Sequence, residues 1–287
     1  MAVGITGSYI RRNNKDKSLR IYMNGGRILR IPLSEGDFEF GDDYLEEKHL
    51  YLEKEEQDAV RKIVDAVLKN PYVWKDNNYK LLHEYLVFME KATLKRYGSL
   101  KHSGVSKERM YQMNLFKKLV EDDSKEYTFV DVEFQTIAEM NYSIEEIEDW
   151  KKEHKNTKGM HCGRPDYIAI QEGGFLIIEL KSNKGSLGGS AGIEEHRNDF
   201  EVLMKMNRNN HIMATELKAR LQTIYDYGVI KDSCRTLAQR ILNMEVSDLT
   251  IDERYLFITN AALTKDMCEV YIEEKGIDKS KVIFEEE

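Results

Sequence analysis

The segment Gly163–Lys181 constrains this chain most: Gly-Arg-Pro-Asp-Tyr-Ile-Ala-Ile-Gln-Glu-Gly-Gly-Phe-Leu-Ile-Ile-Glu-Leu-Lys. Two apolar runs, Ile168-Ala169-Ile170 and Phe175-Leu176-Ile177-Ile178, flank Gly173-Gly174. A Gly-Gly pair supplies the positive φ angles of a tight primed turn, so the segment predicts a β-hairpin. Strands this uniformly apolar are usually covered on both faces. A turn centred on the two glycines pairs Glu172 with Phe175, Ile168 with Glu179 and Asp166 with Lys181. Side chains alternate along a strand, so Asp166, Glu179 and Lys181 share one face, with Glu179 roughly 7–8 Å away on the diagonal. Charges at the end of a buried strand are costly unless they are paired or hold a metal.

The rest of the chain fills in around this hairpin. Short strands are expected at Ser8–Ile10, Leu19–Tyr22 and Ile28–Ile31, with Asn24-Gly25-Gly26 as a hairpin turn and Pro32 as a stop. Asp58–Lys69 predicts a helix with Val60, Ile63, Val64, Val67 and Leu68 on one face. A second helix is expected over Tyr79–Tyr97, followed by a linker, Gly98–Gly104. This divides the chain into a β-rich and helical domain, 1–103, and a second domain, 104–287. The second domain reads as helix (Ser106 to Glu121), strand (Tyr127–Ile137), polar helix (Tyr142–Lys155), hairpin, helix (Ile193–Met206) and one or two helices in Thr215–Asn243. Strand Tyr255–Thr259, a last helix and strand Val282–Phe284 close the chain. Strands with helices before and after them give a mixed α/β class with a central sheet flanked by helices.

Composition narrows the setting. The chain has 287 residues, and its net charge is −8. That charge argues against tight nonspecific binding to nucleic acid by a lone monomer. It fits a chain that is restrained, oligomeric or switched on by a partner or ligand. Charge is clustered: residues 91–118 carry a net +7 and residues 205–240 a net +4, while 35–58 carry −9 and 246–287 carry −6. The two basic stretches are candidate phosphate-contacting surfaces. Three widely spaced cysteines, Cys162, Cys234 and Cys268, do not build a disulfide framework and suit a reducing cytoplasm. No apolar run approaches the ~18–20 residues of a membrane helix. His154, His161 and Cys162 lack the spacing of a zinc site.

Pro165-Asp166, the step to Glu179, and the triplet Glu179-Leu180-Lys181 resemble the PD-(D/E)xK nuclease superfamily, which includes many restriction endonucleases and phage-defence nucleases. The resemblance covers about residues 105–287 and implies a restriction-endonuclease-like core. A polar insertion, about Asn141–Gly163, departs from the pattern. The resemblance implies Mg²⁺-dependent phosphodiester hydrolysis, with Mn²⁺ as a substitute. Asp166 and Glu179 would hold the cation, with the Leu180 carbonyl completing the protein ligands. Lys181 would orient the attacking water and stabilise charge on phosphorus. A further acid is expected from Glu108 or from its rival Glu133.

Beyond Lys181, the loop Ser182-Asn183-Lys184 and its glycines could approach a phosphate backbone. Arg164 and His196 are further candidates for that contact. Helical spacing groups His196 with Ile193, Phe200 and Leu203, which points it inward, as a satisfied core histidine or an active-site contact. The expected activity is a DNA endonuclease in restriction or antiviral defence, with homodimerisation a reasonable companion. The alternatives are an inactive nucleic-acid or partner-binding module on a nuclease scaffold, an RNase, and a ligand-activated effector nuclease.

Overall fold

The computed structural model describes residues 8–13, 18–23, 26–33, 38–45, 51–70, 80–97, 111–112, 114–116, 128–132, 165–189, 192–228 and 230–286. Contacts within the chain divide it into two compact units, Met1–Lys118 and Leu119–Glu287. The 103/104 boundary expected from sequence, Glu108, Glu133, Arg164, the helix over Tyr142–Lys155 and the insertion 141–163 all lie outside the described residues. So does most of the helix expected over Ser106–Glu121, of which 111–112 and 114–116 are helical.

In the first unit, strands β1 (Ser8–Asn13), β2 (Ser18–Met23), β3 (Gly26–Pro32) and β4 (Glu39–Phe40) form an antiparallel sheet in sequential order. Helices α1 (Lys54–Lys69) and α2 (Lys80–Tyr97) follow. Helix α1 starts four residues earlier than its apolar periodicity predicts. The cause is a capping box, in which the Glu56 side chain accepts from the Glu53 N–H at 3.0 Å and satisfies an otherwise orphaned donor. Val60, Ile63 and Val67 enter a core with Ile28, Leu29, Tyr85 and Met89, but Leu68, expected on the same face, is 52% exposed.

The second unit is a mixed α/β assembly. Its five-stranded sheet runs β5 (Thr128–Val132), β6 (Tyr167–Gln171), β7 (Gly174–Lys181), β8 (Thr250–Thr259), β9 (Val282–Glu286). β6 runs antiparallel to both its neighbours, β5 and β7, and β7, β8 and β9 are parallel neighbours. Parallel strands need a long crossover. Helices α3 (Ile193–Asn210), α4 (Ile212–Asp226) and α5 (Asp232–Asn243) lie between β7 and β8, and α6 (Lys265–Glu274) lies between β8 and β9. The chain turns from α3 into α4 at His211, which takes a left-handed φ of 54°.

One face of the sheet, carrying Ile168, Ile170, Phe175, Ile177, Tyr255 and Phe257, packs with Ile193, Phe200 and Leu203 of α3 and Met213, Leu217 and Leu221 of α4. Every residue of β7 is buried. Cys234 and Cys268 are free and buried, and burial pushes the Cys268 thiol up to about 11. Among the described residues, no helix is long and apolar enough to cross a membrane.

Candidate functional site

The hairpin forms, but its register differs from the one the sequence suggests. The two turn residues are Glu172 and Gly173, so Gln171 pairs with Gly174, Ile168 with Ile177 and Tyr167 with Ile178. Gly173 takes φ +82°, as the third residue of a type II turn requires. Gly174 is instead drawn into β7. There it is a glycine for a different reason: a Cβ would sit 2.1 Å from the Thr250 carbonyl oxygen of β8. Continuing this register by one residue sets Asp166 opposite Glu179, with Lys181 as the diagonal member. Glu179 and Lys181 share a face by alternation, and Asp166, in the bend before β6, lies close enough to Glu179 for the two carboxyls to interact.

Asp166 turns back over the strand end, where its Oδ2 accepts from the Leu180 N–H at 2.8 Å. That contact uses the Leu180 amide and anchors one acid to the backbone of the strand that carries the other. Glu179 is 4% exposed and Lys181 1%. The Lys181 ammonium donates to Glu179 Oε1 at 3.2 Å. Glu179 Oε2 is buried with no hydrogen-bond partner. Burial, then the neighbouring Asp166 carboxylate, push the Glu179 carboxyl well above the usual range, and Lys181 only partly offsets them. Two acids face each other here, with one cation beside them.

Helix α3 adds a group that the sequence located without fixing its role. His196 Nε2 lies 3.1 Å from the same Glu179 Oε1, and its Nδ1 lies 3.9 Å from Asp199 Oδ2 one turn along. The spacing of His196 and Asp199, three residues apart on a helix, was the available signal for Asp199. Tyr255 was not foreseen. It pairs with Glu179 across the parallel β7–β8 ladder, and its hydroxyl is buried with no hydrogen-bond partner. Burial, and the Glu253 carboxylate after it, raise its pKa.

The loop beyond Lys181 is a structured turn. Asn183 Oδ1 accepts from the Ser186 N–H at 3.0 Å and caps a 3₁₀ turn, Lys184–Ser186. Ser182 is buried, with its Oγ lacking a partner, whereas Lys184 is exposed. Several described basic residues of the stretch 205–240 are engaged inside their own unit. Arg220 pairs with buried Asp131 of β5, Arg240 bonds Glu172 at 2.8 Å, and Lys218 bonds the Met244 carbonyl. Asp131 reaches α4 because the β5–β6 register slips between Phe129 and Asp131.

Among the described residues, no three His, Cys, Asp or Glu side chains form a metal-holding group. Two acids nonetheless fit Mg²⁺, which takes oxygen ligands, usually from one or two carboxylates, and keeps several waters. The orphaned Glu179 Oε2 is the donor that such an ion would use. Searched against known protein families, curated proteins and solved structures, the chain matches none.

Proposed function

We propose that the second unit is a divalent-metal-dependent nuclease on a restriction-endonuclease-like core, hydrolysing phosphodiester bonds of DNA in a restriction or phage-defence role. One observation carries this: Asp166 and Glu179 meet at the ends of paired strands with Lys181 against them, and a buried carboxylate oxygen lacks a partner. An unmade buried bond is expensive, so an open carboxylate oxygen beside a second acid favours a bound cation over a purely structural ion pair.

Asp166 and Glu179 would hold Mg²⁺ or Mn²⁺ through carboxylate oxygens. When bound, the ion polarises the scissile phosphate and lowers the pKa of a water. Asp166 is fixed by the Leu180 amide, so one ligand is already oriented before any ion arrives. The Lys181 ammonium is held against Glu179, where its charge would stabilise the negative charge developing on phosphate oxygens. Lys184, exposed on the turn just beyond, would contact the backbone of the nucleic acid.

The test is incubation of the purified protein with Mn²⁺ or Mg²⁺ and supercoiled, linear and single-stranded DNA, with RNA alongside. Cleavage of DNA is expected, and Asp166→Ala and Lys181→Ala should each lower it at least ~100-fold. Unchanged cleavage in either variant, or no cleavage of any substrate, would overturn the reading. Cleavage of RNA alone would replace the substrate and leave the chemistry.

A further inference from the structure

Two donors converge on one oxygen of Glu179. Lys181 Nζ lies 3.2 Å and His196 Nε2 3.1 Å from Oε1, while Oε2 is buried with no partner. When Glu179 is ionised, as it would be to hold a cation, its Oε1 only accepts, so a bond from His196 requires the imidazole hydrogen on Nε2. His196 Nδ1 faces Asp199 Oδ2 at 3.9 Å, longer than a hydrogen bond but near enough for attraction. His196 is 17% exposed on its side chain and comes from the first turn of α3, the next α-helix after the hairpin.

We propose that His196 is a positioning residue: with Lys181 it occupies Oε1 of Glu179, so that Glu179 offers a cation Oε2 alone. This rests on the nuclease reading and adds to it a helix-borne group that neither holds the ion nor touches the substrate. Its nitrogens are turned toward carboxylates. Without it, Lys181 alone would hold Oε1, and the carboxylate would be less firmly oriented toward the ion. Asp199 acts one step further out, through the imidazole.

Mn²⁺ binding to the full chain, followed by the electron paramagnetic resonance signal of free Mn²⁺, provides the test. His196→Ala should weaken Mn²⁺ binding by about 10–100-fold, the range for groups that orient a metal ligand. His196→Gln keeps an N–H near the position of Nε2 and should recover most of that loss. Asp199→Ala should weaken binding less than His196→Ala does. Cleavage by His196→Ala should return toward wild type at saturating Mn²⁺, a rescue that a damaged fold would not show.

His196→Ala binding Mn²⁺ as tightly as wild type, or His196→Gln doing no better than alanine, would overturn the role of His196 and leave the nuclease reading standing. A wild-type chain that binds no Mn²⁺ would overturn both. If the alanine variant does not fold, His196→Gln carries the test. Affinity within about threefold of wild type supports the proposal, and a loss as deep as that of Asp166→Ala overturns it.

Discussion

Two Lys–Glu pairs, one in each unit, separate what contact geometry says from what environment says. In the first unit, Lys91 bonds both oxygens of Glu56, at 2.6 and 2.8 Å, with the side chains 52% and 25% exposed. In the second, Lys181 meets Glu179 at 3.2 Å, with the side chains 1% and 5% exposed. The exposed pair has the shorter contacts, yet such pairs are worth only ~0–1 kcal/mol. The buried pair has the longer contact and a large desolvation cost. The two carboxyls respond in opposite directions: Glu56 is held low, chiefly by its bond from Lys91, and Glu179 is pushed up, chiefly by burial. Geometry ranks the first pair higher. Free energy marks the second as the one that needs a reason to exist.

The sharpest way to break this comparison is to remove the lysines. Lys181→Ala leaves the buried Glu179 without its cation and should destabilise the protein by ~3–5 kcal/mol in urea denaturation. Replacing the pair together, Glu179→Gln with Lys181→Met, should be neutral or stabilising by ~1–4 kcal/mol while abolishing activity. A single-variant loss under ~1 kcal/mol would put both pairs in one class and remove the energetic ground for treating the second as functional.

The buried pair also depends on register, as the exposed pair does not. Gly174→Ala would press a Cβ to 2.1 Å from the Thr250 carbonyl, a backbone atom in a central strand that has little room to yield. The expected cost is ~1–3 kcal/mol. Mn²⁺ binding should weaken as the end of β7 shifts, while the Lys91–Glu56 coupling stays as it was. A Gly174→Ala chain with wild-type stability and Mn²⁺ affinity would mean that the β7–β8 approach does not position the site.

Glycine also marks the limit of what the sequence disclosed. The hairpin, both of its apolar strands and the placing of Glu179 and Lys181 on one face near Asp166 were legible, because alternation and burial are local properties of the string. The register was not. Either glycine of Gly173-Gly174 satisfies a turn, and the choice is made by β8, whose Thr250 lies far along the chain and crowds Gly174. His196 could be pointed inward by helical spacing, but its landing on Glu179 depends on how α3 packs over the sheet. The partners of Arg220 and Arg240, in a stretch that reads as a basic surface, are likewise tertiary facts.

The smallest expected effect belongs to the exposed pair, and it tests the other half of the comparison. A double-mutant cycle with Lys91→Met and Glu56→Gln should return a coupling of ~0.2–1 kcal/mol at neutral pH, and glutamine keeps an acceptor for the Glu53 N–H that caps α1. Salt near 1 M should remove most of that coupling, because the charges are in contact with solvent. Acid should remove it as well. The Glu56 carboxyl is held below its ordinary value near 4.5, so the folded state favours the ionised form. Its contribution is therefore complete above that value and is lost as pH falls through the lowered one. A coupling that persists in both high salt and acid would show that solvent exposure does not separate the two pairs, and the argument from burial to function at Glu179 and Lys181 would lose its control.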